Sequence, residues 1–122
     1  MHITKDLVAA SATPLVLGIL AQEESYGYAI LKQVSELSRG QLEWSEGLLY
    51  PLLHRLERLG YVESYWRAAD SVRRRKYYRI TKRGRAELAE QRRQWAAVED
   101  ALRGIWSATS APRTVPAPAW EG

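Results

Sequence analysis

The first sixty positions contain three stretches in which apolar residues are spaced as in helices. The first stretch begins with Thr13 and Pro14, a pair typical of a helix N-cap and its first turn. Because a proline inside a helix removes a hydrogen bond and kinks it, we predict a separate lead-in helix over residues 3–12 and a buried central helix from Pro14. The apolar residues of the central helix are Leu15, Val16, Leu17, Ile19 and Leu20.

Two further helices are predicted after a polar break at residues 22–25. The first covers residues 27–38 and stops at Gly40, which we expect at the C′ position that favours glycine. The second begins at Ser45, a favourable N-cap, and ends before Gly60. Its apolar face consists of Leu49, Leu52, Leu53, Leu56 and Leu59. Pro51 argues against one straight helix here, since a helix interior loses a hydrogen bond at proline.

Residues 61–66 and 76–80 are rich in aromatic and β-branched side chains, which predicts two strands of a hairpin. Three helices followed by a hairpin are the element order of a winged helix-turn-helix. In that fold the third helix enters the major groove of DNA and the hairpin, or wing, lies over a neighbouring backbone or minor groove. We therefore predict a mainly α fold with a small β-hairpin (α+β).

The last helix is predicted to begin after Thr81, a candidate N-cap, and to run to about Trp106. Its heptad positions are Leu88, Gln91, Trp95, Val98, Leu102 and Ile105. A helix of about 38 Å would project from so small a domain, so a second copy of the chain is the expected partner. The alternative is that the helix folds back on its own domain.

This pattern divides the chain into three parts. Residues 1–80 would form the N-terminal helix and the winged domain, and residues 81–106 the dimerisation helix. Residues 107–122 are rich in Pro, Ala, Ser and Thr without periodicity, so we predict a disordered tail, in which Trp120 has no assigned role.

The positive charge is concentrated near the predicted wing. The chain carries a net charge of +4, and nine of its 18 Lys and Arg residues lie between Arg67 and Arg85, where Asp70 is the only acid. Such a local field attracts polyanions, including the phosphate backbone of DNA. The alternative is a charged hairpin that is simply solvated.

Several classes of protein are disfavoured by composition. There is no cysteine, which excludes disulfides and thiolate metal sites, and the chain has only two histidines and no glycine-rich phosphate loop. We therefore expect no enzyme, no metal and no cofactor. The longest apolar run, residues 14–21, is too short to span a bilayer, so we expect a cytoplasmic protein without membrane contact.

Three sequence strings resemble the PadR family of transcriptional regulators. They are YGYAI at residues 26–30, GLLYPLLHRLE at residues 47–57 and RRRKYYRIT at residues 73–81. The resemblance implies a winged-helix repressor that binds a double-stranded DNA operator as a homodimer. It also implies that the recognition helix continues through Pro51, because the family carries Leu-Tyr-Pro in that helix.

On this basis twelve residues are candidates for binding DNA. Ser45 and Gly47 would bring the N-terminus of the recognition helix close to phosphate. The others are Tyr50, His54 and Arg55 on the recognition helix, Tyr26, Lys32 and Gln33 on the second helix, and Arg73, Arg74, Arg75 and Lys76 in the wing. The alternative for Tyr50 is that its side chain belongs to the core. The alternative for His54 is that it is an ordinary exposed helix residue. A protein-binding adaptor without a DNA operator is the alternative function.

The string Ser64-Tyr65-Trp66 and the position of Trp95 on the last helix resemble the corresponding features of a short subclass of the family. This subclass is typified by the lactococcal multidrug-resistance regulator. The similarity implies that a flat aromatic effector stacks between the two copies of Trp95, where Glu99 would favour a cationic one. The candidate walls are Leu7, Ala10, Val98, Glu99 and Leu102. Arg92 and Pro14 depart from the subclass, so the pocket is expected to be smaller, more polar or absent. The alternative is that Trp95 binds no effector and packs against the same residue of the second copy.

Overall fold

The computed structural model describes residues 1–110, which form four helices and one three-stranded antiparallel sheet. The elements in chain order are α1 (Lys5–Gln22), β1 (Ser25–Tyr26), α2 (Gly27–Leu37), α3 (Glu46–Arg58), β2 (Val62–Ala68), β3 (Arg74–Ile80) and α4 (Lys82–Ser110). The chain separates into two compact units, residues 1–91 and the residues from 92 onward. The predicted fold class, helices with a small antiparallel sheet and a long last helix, is confirmed.

The first helix corrects the prediction at Pro14. α1 is continuous from Lys5 through Pro14, and its N-cap is Thr4, whose hydroxyl accepts the Leu7 N–H at 3.4 Å. The predicted helix start at Thr13 and the separate helix over residues 3–12 are therefore wrong. A helical proline costs about 3 kcal/mol, whereas burying one Val or Leu side chain contributes about 1.5–3 kcal/mol. The helix buries several, namely Val16, Leu17, Ile19 and Leu20, so tertiary packing outweighs the proline.

The end of α2 also differs from the prediction. Arg39, with φ of 53°, occupies the C′ position expected for Gly40, and Gly40 follows it with φ of 79°. The Arg39 N–H bonds the Glu36 carbonyl at 3.1 Å, and the Gly40 N–H bonds the Ser35 carbonyl at 2.8 Å. These two bonds satisfy the last carbonyls of the helix and compensate for an arginine in the left-handed region.

The third helix begins and ends as predicted. The Ser45 hydroxyl accepts the Leu48 N–H at 3.2 Å, and Gly60, with φ of 80°, allows the Tyr61 N–H to bond the Leu56 carbonyl at 2.9 Å. The helix continues through Pro51, as the family resemblance implied. Gly47, whose carbonyl would have bonded residue 51, is exposed, so that carbonyl is open to water.

The predicted hairpin is present, and the sheet has a third strand that the sequence pattern did not reveal. β2 and β3 pair from Val62 opposite Ile80 to Ala68 opposite Arg74. Ser25, expected in a polar break, and Tyr26, expected where the second helix opens, pair as β1 with the other edge of β3, which places β3 in the centre. Two residues are too few to show alternation, so only the partner strand defines β1.

The core lies between the helices and one face of the sheet. Its buried members are Ala12, Val16, Leu17, Ile19, Leu20, Ile30, Val34, Trp44, Leu49, Leu52, Leu53, Leu56, Val62 and Tyr78. Among residues 1–110, no helix is long and apolar enough to cross a membrane, and no three side chains of metal-ligating type come together.

The last helix is capped as predicted and runs further than predicted. The Thr81 hydroxyl accepts the Gly84 N–H at 3.0 Å and donates to the Gly60 carbonyl at 2.6 Å. α4 continues to Ser110, so residues 107–110 are helical and do not belong to an irregular tail. Residues 111–122, with Trp120, lie outside the described residues.

Candidate nucleic-acid interface

The exposed face of α3 carries the residues expected at the DNA. Ser45, Gly47, Tyr50, His54 and Arg55 are all exposed. Tyr50 and His54 are four positions apart and therefore neighbours on one helical face. The opposite face is held in the core by Leu49, Leu52, Leu53 and Leu56, which fixes the direction of the exposed face relative to the sheet. The amphipathic pattern thus leaves one polar, basic surface on this helix.

Tyr50 lies against the start of α2. Its side chain is 36% exposed, and a Cβ built on Gly27 would lie 2.2 Å from its hydroxyl oxygen. Only a residue without a side chain leaves room for that hydroxyl, so Gly27 and Tyr50 act as a matched pair. Tyr50 is therefore a surface residue anchored at its tip, in contrast to the core position considered from sequence.

A cleft of about 430 Å³ lies between the start of α2, the exposed face of α3 and the two long strands. We call it the aromatic cleft, and its lining residues are Tyr26, Gly27, Tyr28, Tyr50, His54, Trp66, Arg75, Lys76 and Tyr78. It brings together five of the predicted DNA-binding residues from three separate segments. Burial raises the pKa of the Tyr78 hydroxyl, so this residue is a neutral part of the lining.

A ladder of tyrosines and arginines runs across the sheet, and two of its members, Tyr26 and Arg75, also line the aromatic cleft. The ring centroid of Tyr77 is 5.3 Å from that of Tyr26 and 6.0 Å from that of Tyr65. One guanidinium lies over each ring: Arg75 over Tyr26 at 4.4 Å, Arg67 over Tyr77 at 4.8 Å and Arg79 over Tyr65 at 5.0 Å. Alternation of Arg75, Tyr77 and Arg79 is visible in the sequence, but the ladder depends on β1 and was not predicted.

Much of the wing charge is already paired. Arg79 bonds Glu63 at 2.6 Å, Arg73 bonds Asp70 at 3.2 Å, and Arg67 lies 3.6 Å from Glu24. The Glu63 carboxylate raises the pKa of Arg79, through a hydrogen bond and its charge. The local positive field expected between Arg67 and Arg85 is therefore reduced at these three arginines.

Three consecutive basic residues of β3 lie outside the ion pairs of the wing. Within the described part of the chain, Arg74, Arg75 and Lys76 form no ion pair with an acid. Arg75 and Lys76 line the aromatic cleft, and Arg74 lies 5.5 Å from the ring of Trp66. Two of these three positive charges, those of Arg75 and Lys76, thus lie in the cleft beside the exposed face of α3.

The tip of the wing is ordered by Asp70. Its Oδ1 accepts the backbone N–H groups of Val72 and Arg73, each at 2.8 Å, and its Oδ2 accepts the Arg73 Nε. These bonds lower the pKa of the Asp70 carboxyl, the two backbone bonds being the main cause. Arg73 is therefore a structural partner of Asp70 as well as a candidate DNA contact.

Lys32 and Gln33 lie on the outer face of α2. Lys32 is exposed, and Gln33 Nε2 donates to Gln22 Oε1 at 3.5 Å. The shallow groove that they line also contains Glu23 and Glu36. Two carboxylates in this groove weaken its attraction for phosphate.

The expected dimer seam is divided between the two units. Leu88 packs against the core of the first unit, and Gln91 Nε2 donates to Glu87 Oε1 at 3.2 Å. In the second unit Trp95 is half-buried, whereas Val98, Leu102 and Ile105 are 51%, 40% and 57% exposed. Three consecutive apolar heptad positions of α4 are thus exposed to solvent.

The expected effector residues lie in both units. Leu7 and Ala10 are exposed on α1, and Trp95, Val98, Glu99 and Leu102 belong to α4 beyond residue 91. Glu99 forms an ion pair with Arg103, one helical turn away. Its charge is therefore already balanced within the helix.

Comparison with known proteins agrees with this geometry. The family model described as "Transcriptional regulator PadR-like family" matches residues 16–90. A transcriptional regulator of Mycobacterium tuberculosis is 47% identical over 70 residues, which are 57% of this chain and 62% of the relative. The matched region thus spans less than two thirds of that protein.

Solved structures show the same fold. A transcriptional regulator from Clostridium thermocellum has a TM-score of 0.75 at 28% identity, covering 82% of this chain and 97% of its own. A PadR family regulator from Eggerthella lenta has a TM-score of 0.72 at 33% identity, covering 83% and 86%. With a family match over more than half of its length and this shared fold, the chain belongs to the PadR-like family, whose members are winged-helix transcriptional regulators and not enzymes.

Proposed function

We propose that this protein is a repressor that binds a pseudo-palindromic promoter site as a homodimer. In this proposal α3 is the recognition helix, and its capped N-terminus approaches a phosphate near Gly47. Tyr50, His54 and Arg55 contact base edges or phosphates. Residues 1–80 contain the DNA-binding part, and the helix from residue 81 joins the two subunits. Action at a promoter places the protein in the cytoplasm.

The observation that carries this proposal is the position of the unpaired charge. Arg74, Arg75 and Lys76 form no ion pair among the described residues, and Arg75 and Lys76 line the cleft beside the exposed face of α3. Basic side chains beside a recognition helix set affinity through the phosphate backbone, and the helix sets sequence choice. Neutral neighbours such as Tyr26 and Tyr50 then position the backbone by hydrogen bonds.

The homodimer is supported by the open apolar stripe of α4. Val98, Leu102 and Ile105 would lose their exposure against a second copy of the helix. Two-fold symmetry then requires two half-sites about one helical turn apart, or a multiple of it. The residues proposed for the interface are Leu88, Gln91, Trp95, Val98, Leu102 and Ile105.

Relief of repression by a planar aromatic or cationic compound at Trp95 is a further part of the proposal, and it rests on the similarity to the lactococcal subclass. The walls would be Leu7, Ala10, Val98, Glu99 and Leu102. A cationic ligand would have to compete with Arg103 for the Glu99 carboxylate. Such a compound should quench the fluorescence of Trp95. If a diverse panel of dyes gives no quenching while Trp95→Ala impairs dimerisation, Trp95 is a packing residue.

The decisive experiment is a salt titration of binding to a duplex taken from upstream of the protein's own coding sequence, with random duplex as competitor. A dimer that neutralises six to ten phosphates should lose roughly 10³ to 10⁵ in affinity between 50 and 200 mM salt. A competitor-resistant complex with two chains per site supports the repressor. Weak and equal binding to both duplexes, with little dependence on salt, supports a protein-binding adaptor that uses the same winged helix.

A further inference from the structure

We propose that a cavity between α1 and the connection from α2 to α3 binds a small uncharged molecule, mainly aliphatic, that carries a carbonyl oxygen. We call it the α1 cavity, and its lining residues are His2, Ile3, Lys5, Val8, Ala9, Gln41, Leu42, Glu43, Trp44, Ser45 and Leu48. It shares only Ser45 with the candidate DNA-binding residues and none with the aromatic cleft. The proposal therefore goes beyond the proposed function and does not depend on it.

Three segments of the first compact unit form the α1 cavity. Lys5, Val8 and Ala9 are three and four positions apart along α1, so they lie on one face of its first two turns. Residues 41–45, which connect α2 to α3, supply a second wall, and Leu48 adds the first turn of α3. Val8 and Leu48 also pack against the hydrophobic core. Contact with the core therefore fixes the positions of these walls.

The size and lining of the cavity suit a small apolar molecule. Its volume of about 650 Å³ lies within the usual range of roughly 300–1,000 Å³ for small-molecule sites. The aromatic ring of Trp44 is joined there by five aliphatic residues, which are Ile3, Val8, Ala9, Leu42 and Leu48. An aliphatic ligand would remove its own apolar surface from water against these side chains, which is favourable.

The indole of Trp44 gives the cavity a specific polar feature. This residue is 8% exposed, and its Nε1–H is buried with no hydrogen-bond partner among the described residues. A buried donor without a partner is unfavourable, because it has given up its hydrogen bond to water and gained none in return. A ligand that places an acceptor oxygen against the indole supplies the missing bond. The indole must turn slightly toward the ligand to form it, and the free volume beside the ring permits that turn.

The charges of the lining favour an uncharged ligand. Besides the imidazole of His2, the lining contains one ammonium group, that of Lys5, and one carboxylate, that of Glu43. Neither forms an ion pair in the described part of the chain, and the Glu43 carboxylate accepts the Ser35 hydroxyl at 2.6 Å. An anion would be attracted by Lys5 and repelled by Glu43, and a cation the reverse. A net charge on the ligand therefore gains little.

The functional group of the ligand follows from these two features. A carbonyl oxygen only accepts hydrogen bonds, whereas a hydroxyl group brings a donor of its own that aliphatic walls cannot satisfy. A carboxylate accepts as well but adds a charge. We therefore expect the class of aliphatic ketones, esters and lactones.

The test uses 2-octanone with the full chain, measured by calorimetry. Octanoate and octylammonium are the comparison compounds, since they have the same chain length and carry a negative or a positive charge. We expect 2-octanone to bind at least tenfold more tightly than either. The second readout is the set of indole N–H signals in a nitrogen-15 correlation spectrum, because the chain has five tryptophans. The signal that disappears in Trp44→Phe should move downfield with 2-octanone, and further than the other four.

Two variants test the position of the site. Trp44→Phe keeps an aromatic ring without the N–H, and Ala9→Leu fills the cavity from an exposed position of α1. Each should weaken 2-octanone binding at least fivefold. The matched controls are Trp106→Phe and Ala97→Leu, at two exposed positions of α4 outside the cavity, and both should bind as the parent does. Thermal unfolding verifies that every variant is folded, and Ala9→Leu keeps the test decisive if Trp44→Phe is destabilised.

Three results would overturn the proposal. These are absence of 2-octanone binding, equal binding of octanoate or octylammonium, and a complex in which the Trp44 signal does not move. If Ala9→Leu binds 2-octanone as tightly as Ala97→Leu, the ligand sits elsewhere. If 2-octanone does not bind and Ala9→Leu changes the sedimentation coefficient, a second copy of the chain covers the cavity. No DNA is present in these measurements, so their outcome is independent of the repressor proposal.

Discussion

The guanidinium of Arg75 lies 4.4 Å from the ring centroid of Tyr26, so β3, the central strand of the sheet, contacts the residue that precedes α2. These two residues are far apart in the sequence and come together because β1 pairs with β3. The contact holds a positive charge that forms no ion pair, within the described residues, at the rim of the aromatic cleft.

Loss of this charge should affect DNA binding more than loss of a paired charge on the same strand. We expect Arg75→Gln to weaken binding to the promoter duplex at least fivefold and to reduce the salt slope by about one. Arg79→Gln is the matched control, since Arg79 is already paired with Glu63 at 2.6 Å and should matter less. Anisotropy titrations at several salt concentrations measure both. Equal losses in the two variants would contradict the assignment.

Gly84 allows the first turn of α4 to pack closely against the backbone of Tyr61, the residue before β2. A Cβ at this position would lie 2.0 Å from the carbonyl oxygen of Tyr61, and a backbone atom cannot turn aside as a side chain does. We expect Gly84→Ala to lower the free energy of unfolding by about 3 kcal/mol, the upper end of the usual cost of overpacking.

Gly18→Ala is the control for this substitution. A Cβ at Gly18 meets nothing within 4 Å, so alanine should stabilise α1 by up to about 1 kcal/mol through helix propensity. Urea denaturation of the two variants should shift in opposite directions. A neutral Gly84→Ala would show that the close approach to Tyr61 is relaxed in solution.

Gly27→Ala should displace Tyr50 without unfolding the domain, because the clashing atoms are the end of a side chain that can rotate. We expect weaker binding to the promoter duplex and an almost unchanged midpoint of thermal unfolding. A double-mutant cycle with Tyr50→Ala tests the cause: if Gly27 acts through Tyr50, the two effects on DNA affinity are not additive. Additive effects would assign Gly27 an independent role.

The Asp70 carboxyl should titrate below its ordinary pKa of 3.8, since two backbone N–H groups and Arg73 bind its ionised form. Its native-state pKa is lowered, so its stabilisation of the wing is complete at neutral pH and is lost as pH falls through the lowered value. Carbon-13 NMR of the carboxyl group measures this directly. Arg73→Gln should raise the pKa, though the backbone bonds should still hold it below 3.8. A midpoint at or above 3.8 in the parent would show that the turn opens in solution.

A charge in the open stripe of α4 should prevent dimerisation. Leu102→Glu places a carboxylate between Val98 and Ile105, and burying it against a second copy would be unfavourable. We expect a monomer in sedimentation velocity and a larger loss of affinity for the promoter duplex than for random duplex. Ala97→Glu, an exposed position outside the heptad seam, should remain dimeric. If Leu102→Glu also sediments as a dimer, the interface lies elsewhere.

The sequence by itself determined the elements whose signals are local. The cap at Ser45, the turn at Gly60 and the Thr81 start of α4 were correct because each depends on hydrogen bonds within a few residues. The aromatic and β-branched side chains of residues 61–66 and 76–80 likewise identified the hairpin, and the short strings identified the family.

Tertiary structure decided what depends on distant partners. Burial of the residues after Pro14 kept α1 continuous, and pairing with β3 turned Ser25 and Tyr26 into a strand. That pairing also brought Tyr26 to Arg75, while Glu63 neutralised Arg79 from the neighbouring strand. A charge count along the chain cannot distinguish these two arginines, because the free energy of a charge is set by the groups that surround it in space.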